Sequence, residues 1–393
     1  MKRQIIISLV VIFVLLLTAC TMLCGKKETP VSYQYKVPDE INDGWLTAHM
    51  GEVNLDEKLL TKLIQNILNK KYENIHSILI VKDGKLVLEE YFTGKDYGKL
   101  ETAFTHDDLH GVMSVTKSFA STLIGIAIDK GMIKDTDEDL VSFFPEYKKL
   151  LGEKGKKIKL RHVLSMTAGL DWDEITYLYS DNRNPYWIML GPERSNIIKY
   201  ILSRPVKEEP GHEFIYNGGL SILLGKIIEK RSHLKTVDFA QKYLFEPLGI
   251  EKYEWGYYDF KREVSKTDGG LYLRPRDMAK LGYLYVNKGQ WKNRQIISSK
   301  WINEATKRHI DLYPFYLTGY GYQWWLYTYK INGQKKEIPV ADGWGGQRIF
   351  TFPDQDMIVV FTAGNHSLAH RKVFSMMYGM VKDYVLPAVL NVE

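Results

Sequence analysis

Ile78-Leu-Ile-Val81, Lys82-Asp83-Gly84-Lys85 and Leu86-Val-Leu-Glu-Glu-Tyr-Phe92 follow one another directly, two β-rich runs separated by an Asp-Gly pair. Asp-Gly in that setting predicts a tight hairpin, because both central positions of the favoured two-residue turn need positive φ. Towards the other end, Tyr322-Gln-Trp-Trp-Leu-Tyr-Thr-Tyr329, Gln347-Arg-Ile-Phe-Thr-Phe352 and Met357-Ile-Val-Val-Phe-Thr362 read as three more strands, the last two joined through Pro353-Asp354-Gln355-Asp356. The middle is mostly helical, over Ser114 to Lys130 closed by Gly131, Ile158 to Met166, Ser195 to Leu202 and Leu220 to Lys230, and so is the closing stretch at 367–386. Strands at both ends around a helical middle predict an α+β fold. One antiparallel sheet of about five strands is formed by both chain ends and flanked by helices, with an inserted mainly helical region.

The 393 residues are 45% apolar and 25% charged, an ordinary globular composition that argues against disorder or a fibre. The net charge of +6 is spread along the chain rather than gathered into an arm, so a nucleic-acid role has no support. The two cysteines, Cys20 and Cys24, both precede the body, which excludes a disulfide framework, a cysteine zinc site and a cysteine nucleophile there.

Met1-Lys2-Arg3-Gln4 supplies a positive start, and Ile5 to Leu17 is an apolar run broken only by Ser8, shorter than the roughly 20 residues of a membrane span. This reads as an export signal. Leu17-Thr18-Ala19-Cys20 resembles the lipobox of bacterial lipoproteins, in which the cysteine thiol takes a diacylglycerol. The alternatives are an uncleaved signal anchor and Cys24 as the lipidated residue. The expectation is a signal peptide over 1–19, a tether over 20–45 without periodicity, and a folded domain over 46–393, with its sheet part near 46–105 and 315–393 and its helical part near 106–314. The body then lies in the bacterial cell envelope, lipid-anchored on the outer side of the cytoplasmic membrane or in the periplasm, with the membrane as a partner through its N-terminal lipid.

Ser114-Val115-Thr116-Lys117 opens an apolar helix, and at i and i+3 the hydroxyl and amine share one face. A helix N-terminus favours developing negative charge, and a lysine buried beneath it loses pKa by desolvation, so its neutral amine could take the serine proton. An N-cap serine with a snorkelling lysine is the structural alternative. Ser232-His233-Leu234-Lys235 has the same spacing at the polar end of a helix, where a solvated lysine stays protonated. Pro210 to Gly219 is a turn in which Tyr216 could place its phenol in a cleft, or simply pack. Asp342-Gly343-Trp344-Gly345-Gly346-Gln347 precedes a strand, and paired glycines there mark close approach of a ligand or of another backbone. His106 with His110 and His366 with His370 have helical metal-ligand spacing but lack the glutamate and third ligand of a zinc hydrolase, so no metal is expected. His162 and His212 read as structural.

Taken in order, these segments resemble the serine β-lactamase and penicillin-binding-protein-like superfamily. The likeness is to its β-lactamase-related serine hydrolases, which include class C β-lactamases, D-alanyl-D-alanine carboxypeptidases, esterases and 6-aminohexanoate-dimer hydrolase. It spans roughly 75 to 385 and rests on the Ser77 to Phe92 hairpin, Ser114 to Lys117, Arg161 to Leu170, Pro210 to Gly225, Gly269 to Ala279 and Gly343 to Pro353. The resemblance implies a Ser114 nucleophile, Lys117 as its base and Tyr216 as proton relay to the leaving group. It further implies an oxyanion hole from the backbone N–H groups of Ser114 and Gln347, substrate contacts from Asn217, Trp344, Gly345 and Gly346, and no cofactor.

Two departures shape the expected substrate. The family's Tyr-x-Asn places asparagine where this chain has Gly218, and its Lys-Thr-Gly or His-x-Gly aligns with Trp344-Gly345-Gly346, removing a cation that would meet a substrate carboxylate. The reading is an exported serine hydrolase that forms an acyl-enzyme on a small-molecule ester, amide or peptide substrate. A D-alanyl-D-alanine carboxypeptidase or β-lactamase-type cell-wall enzyme is the first alternative, and a non-catalytic lipoprotein binding module of the same fold is the second.

Overall fold

The computed structural model describes residues 32–96, 98, 100–191, 194–312 and 318–390. Its main sheet comprises Leu46–Thr47 (β1), Ile75–Lys82 (β2), Lys85–Tyr91 (β3), Ile310–Asp311 (β4), Thr318–Tyr320 (β5), Trp325–Ile331 (β6), Gln334–Gly343 (β7), Gln347–Phe352 (β8) and Met357–Ala363 (β9). The strand order is β1-β3-β2-β9-β8-β7-β6-β5-β4, antiparallel throughout except for the parallel pairing of β1 with β3. The two chain ends meet at β2 and β9, where Ile80 faces Val359. At the expected hairpin Lys82 pairs with Lys85, and Asp83 and Gly84 take φ of 52° and 74°.

Period-two alternation gives the central strands β2, β8 and β9 two buried faces. Ile78, Ile80, Val359 and Phe361 face a core shared with Glu57–Leu68 (α1) and His370–Met380 at the C-terminus, whereas Leu79, Val81, Ile358 and Val360 face the helical region. That region is built around Val115–Asp129 (α2), Gly218–Ser232 (α3) and Pro275–Val286 (α4). Helix α2 is buried from Val115 to Ala127 on every side, so it is a central helix rather than an amphipathic surface one.

The sheet is larger than the five strands expected. β1, β4 and β5 are only two or three residues long, and β7 carries Lys335, Lys336, Glu337 and an interior Pro339, which breaks the usual strand pattern. The stretch read as a tether lies against the domain from Tyr33 onwards. Tyr33 OH donates to Glu90 at 2.5 Å, Tyr35 OH to the Val87 carbonyl at 2.8 Å, and Trp45 Nε1 to the Arg276 carbonyl at 3.1 Å. The signal segment and Cys20 lie outside the described residues.

Candidate active site

A short strand at His110–Gly111 pairs with Leu271–Leu273, and the Val112 N–H donates to the Leu271 carbonyl at 2.9 Å. Met113, at φ 49°, then turns the chain into α2. Ser114 occupies the N-cap, but its hydroxyl makes no cap bond. Instead Lys117 Nζ and Tyr216 OH each stand 3.0 Å from Ser114 Oγ, both as donors to it. The three residues named by the sequence are thus brought into mutual hydrogen-bond reach, although 102 positions separate Ser114 from Tyr216.

Lys117 is 5% exposed, and its ammonium also donates to the Asp268 carbonyl. Burial pulls its pKa down, as expected from the sequence, but the nearby Tyr216, Asp268 and Glu174 outweigh burial and hold the ammonium above its ordinary pKa. Neither carboxylate was among the sequence candidates. Asp268 accepts from Tyr258 OH at 2.8 and 2.7 Å, and burial pushes its carboxyl up to about 7 against the opposing Lys117 charge. Glu174 accepts from Trp172 Nε1 at 2.6 Å, the Gly218 N–H at 2.7 Å and Tyr179 OH at 3.4 Å, and burial raises it against Lys117 and these donors. Both acids stand in loops. The only signals available were positional: Asp268 immediately precedes the Gly269-Gly270 segment, and Glu174 lies shortly after Leu170.

Tyr216 is held by Trp325, whose ring stacks on it at 5.9 Å between centroids. Asn217, expected to meet substrate, uses its side-chain oxygen within the fold. It is buried and caps α3, its Oδ1 accepting from the Leu220 N–H at 3.2 Å, because an asparagine directly before a helix finds an orphan amide in its first turn.

The β7–β8 turn lies against the turn that leads into Ser114. A Cβ on Gly343 would stand 2.5 Å from the Val112 carbonyl oxygen, so only glycine allows this approach. Trp344 is 40% exposed and meets His366 edge-on at 5.0 Å. Gly345 and Gly346 take φ of 83° and 107°, and Gln347 spends its side chain bracing β8 against Ala363, donating to its carbonyl at 2.5 Å and accepting from its N–H at 3.2 Å. Arg348 is fully buried and paired with Asp342 at 2.9 Å beside Tyr327, so it does not replace the missing cation.

The histidine pairs do not share a helix. His110 Nε2 lies 2.7 Å from His76 Nδ1, whose pKa burial and His110 lower to about 3, while His370 opens the C-terminal helix and His366 precedes it. His162 Nδ1 accepts from the Lys159 N–H at 3.1 Å, a structural role.

The family model described as Beta-lactamase matches residues 68–372. A 6-aminohexanoate-dimer hydrolase of Paenarthrobacter ureafaciens is 24% identical over 307 residues, 73% of this chain and 72% of that protein. A Salmonella agona protein provisionally assigned as a D-alanyl-D-alanine carboxypeptidase is 24% identical over 218 residues, covering 52% of this chain and 49% of its own length. The chain thus spans about half of that second relative. Among solved structures, the octameric penicillin-binding protein homologue from Pyrococcus abyssi superposes with a TM-score of 0.63 at 22% identity, covering 84% of this chain and 79% of the other.

Proposed function

The chain belongs to the Beta-lactamase family and is a serine hydrolase of that superfamily, and on this premise we propose that it cleaves a small ester or amide by acylation of Ser114. The observation that carries the reading is Ser114 Oγ held between Lys117 Nζ and Tyr216 OH, each at 3.0 Å. Ser114 Oγ attacks the substrate carbonyl carbon while its proton passes to the Lys117–Tyr216 pair. The negative oxygen is met by the backbone N–H groups of Ser114 and Gln347. Tyr216 delivers the proton to the leaving alkoxide or amine, and water then attacks the acyl-enzyme to release the acid and restore Ser114.

Preference for an uncharged substrate is supported by the side chains around the site. Trp344 stands where the family pattern places a cation, and Arg348 is committed to Asp342. The lipobox-like Leu17-Thr-Ala-Cys20 supports an exported protein anchored through Cys20. Among the described residues no helix is long and apolar enough to cross a membrane.

Labelling by a fluorophosphonate probe, with wild type and Ser114→Ala side by side, tests the nucleophile. A parallel screen of short-chain p-nitrophenyl esters, linear amides, D-amino-acid peptides and a chromogenic cephalosporin assigns the bond. Wild-type protein that is neither labelled nor active would leave the fold as a binding module.

A further inference from the structure

Gly218 stands where the family pattern places an asparagine, yet the space beside it is filled. A Cβ at this position would lie 2.7 Å from the Tyr186 ring and 3.3 and 3.5 Å from the two Glu174 carboxylate oxygens. Glu174 is only 3% exposed. Its oxygens accept from the Gly218 N–H at 2.7 Å, from Trp172 Nε1 at 2.6 Å and from Tyr179 OH at 3.4 Å. A carboxylate so placed fixes the chain two residues beyond Tyr216, and it interacts electrostatically with Lys117.

We propose, on the serine-hydrolase reading above, that Glu174 is a positioning residue of this site: it fills from a separate loop the space left at Gly218 and holds a buried carboxylate against the chain that carries Tyr216. The consequence is that the Lys117–Tyr216 pair releases its working proton at higher pH than it would alone. The charged and titratable groups around Glu174 come from several packed elements, among them Tyr320 of β5, which interacts with both Glu174 and Tyr216. Lys117 comes from α2, Tyr216 and the Gly218 amide from the entry to α3, and Trp172 and Tyr179 from the loop of Glu174 itself. Tyr186 OH lies 2.7 Å from Tyr258 OH, which donates to the second buried acid, Asp268. Lys117 is the cation among these. A negative neighbour disfavours proton loss from either member of the pair, so the sign does not depend on whether the amine or the phenol gives it up.

The test is the pH dependence of the second-order rate constant for fluorophosphonate labelling of Ser114. Glu174→Gln keeps the shape and an acceptor for the Gly218 N–H and Trp172 but removes the charge. The rising limb should move about one unit towards acid, a roughly tenfold faster reaction at a fixed pH below the limb. Tyr179→Phe alters a half-exposed side chain, so folding is not at issue. It withdraws one donor and leaves the ionised carboxylate less neutralised, so it should move the limb by a few tenths of a unit in the opposite direction, towards alkali. A limb unmoved in the folded variants, with a lower rate at every pH, would reduce Glu174 to a brace and overturn the proposal. Wild-type protein with no Ser114-dependent labelling at any pH removes the hydrolase reading and this one together, whereas normal labelling with an unmoved limb removes this one alone.

Discussion

Ser114-Val-Thr-Lys117 and Ser232-His-Leu-Lys235 share residue types and spacing, but the first opens a helix and the second closes one. At 114 the serine is an N-cap in αR geometry, Lys117 lies one turn on, and the Lys117 N–H donates to the Ser114 carbonyl at 3.0 Å. At 232 the helix is at its last residue. His233 takes φ 59° as the left-handed cap, Ser232 Oγ donates to the Ile228 carbonyl at 2.7 Å, and Lys235 is exposed. The pattern carries chemistry only where a helix start holds both groups on one face and the fold buries the amine against a second proton carrier. On the proposed reading that carrier is Tyr216, whose hydroxyl stands 3.0 Å from Ser114 Oγ.

The comparison breaks most sharply at the first pair. Ser114→Ala should abolish turnover and fluorophosphonate labelling, and Lys117→Ala should lower kcat/KM by about 10⁴-fold or more, at the upper end of general-base losses because the nucleophile itself goes unactivated. Steady-state kinetics on p-nitrophenyl butyrate, with circular dichroism to confirm folding, would measure this. Ester turnover surviving Ser114→Ala at the wild-type rate would move the chemistry elsewhere.

Tyr216→Phe keeps the ring on Trp325 and removes only the hydroxyl, so it separates proton relay from packing. A fall in kcat of about 10²–10³-fold with an unchanged melting temperature is expected. Such a result would also mark what could be read from sequence. Ser114, Lys117 and Tyr216 stand where a polar run enters an apolar helix, and the Asp83-Gly84 hairpin and the runs of β8 and β9 announce their own geometry. Glu174 and Asp268 do not, because a lone acid in a loop looks solvated until the tertiary fold closes over it. β7 was hidden for the opposite reason, since its charges and Pro339 disguise a strand central to the sheet.

Asp268 sharpens the contrast with Lys235, which is exposed. The Asp268 carboxyl is held at about 7, above its ordinary 3.8, so the folded state binds a proton that the unfolded chain has already lost. Stability from this group is therefore greatest at acid pH and declines as pH rises from about 4 through about 7, by at most about 4 kcal/mol. Asparagine cannot ionise, and Lys117 is bonded to the backbone carbonyl, which the substitution leaves in place. The melting temperature of Asp268→Asn relative to wild type should thus be more favourable at pH 8 than at pH 5. An equal difference at both pH values would show that the carboxyl does not titrate in this range.

A smaller effect is expected at the rim. With Trp344 exposed and Arg348 bound to Asp342, a substrate carboxylate meets no cation from this turn. The missing charge-assisted bond amounts to roughly 1.5–3 kcal/mol, so nitrocefin should be turned over less efficiently than p-nitrophenyl butyrate. Trp344→Lys should raise kcat/KM for nitrocefin by about tenfold while leaving the ester nearly unchanged. If wild type prefers the cephalosporin, Trp344 does not set specificity and the carboxypeptidase-like alternative gains ground.

The smallest expected effect is none, at the second pair. Ser232 Oγ also accepts from the Leu234 N–H at 3.2 Å, so it serves the closing turn of α3 with both its donor and an acceptor position. Ser232→Ala removes two local bonds in a partly exposed turn, and water can take up the freed N–H and carbonyl. The expected cost is about 0.5–1 kcal/mol of stability, with kcat/KM and labelling unchanged. Lys235→Ala should be silent in both measurements, since an exposed ammonium with no hydroxyl held against it has no proton to take. A loss of activity in either variant while the protein remains folded would mean that spacing alone carries chemistry here, and that burial beside Tyr216 is not what distinguishes the two pairs.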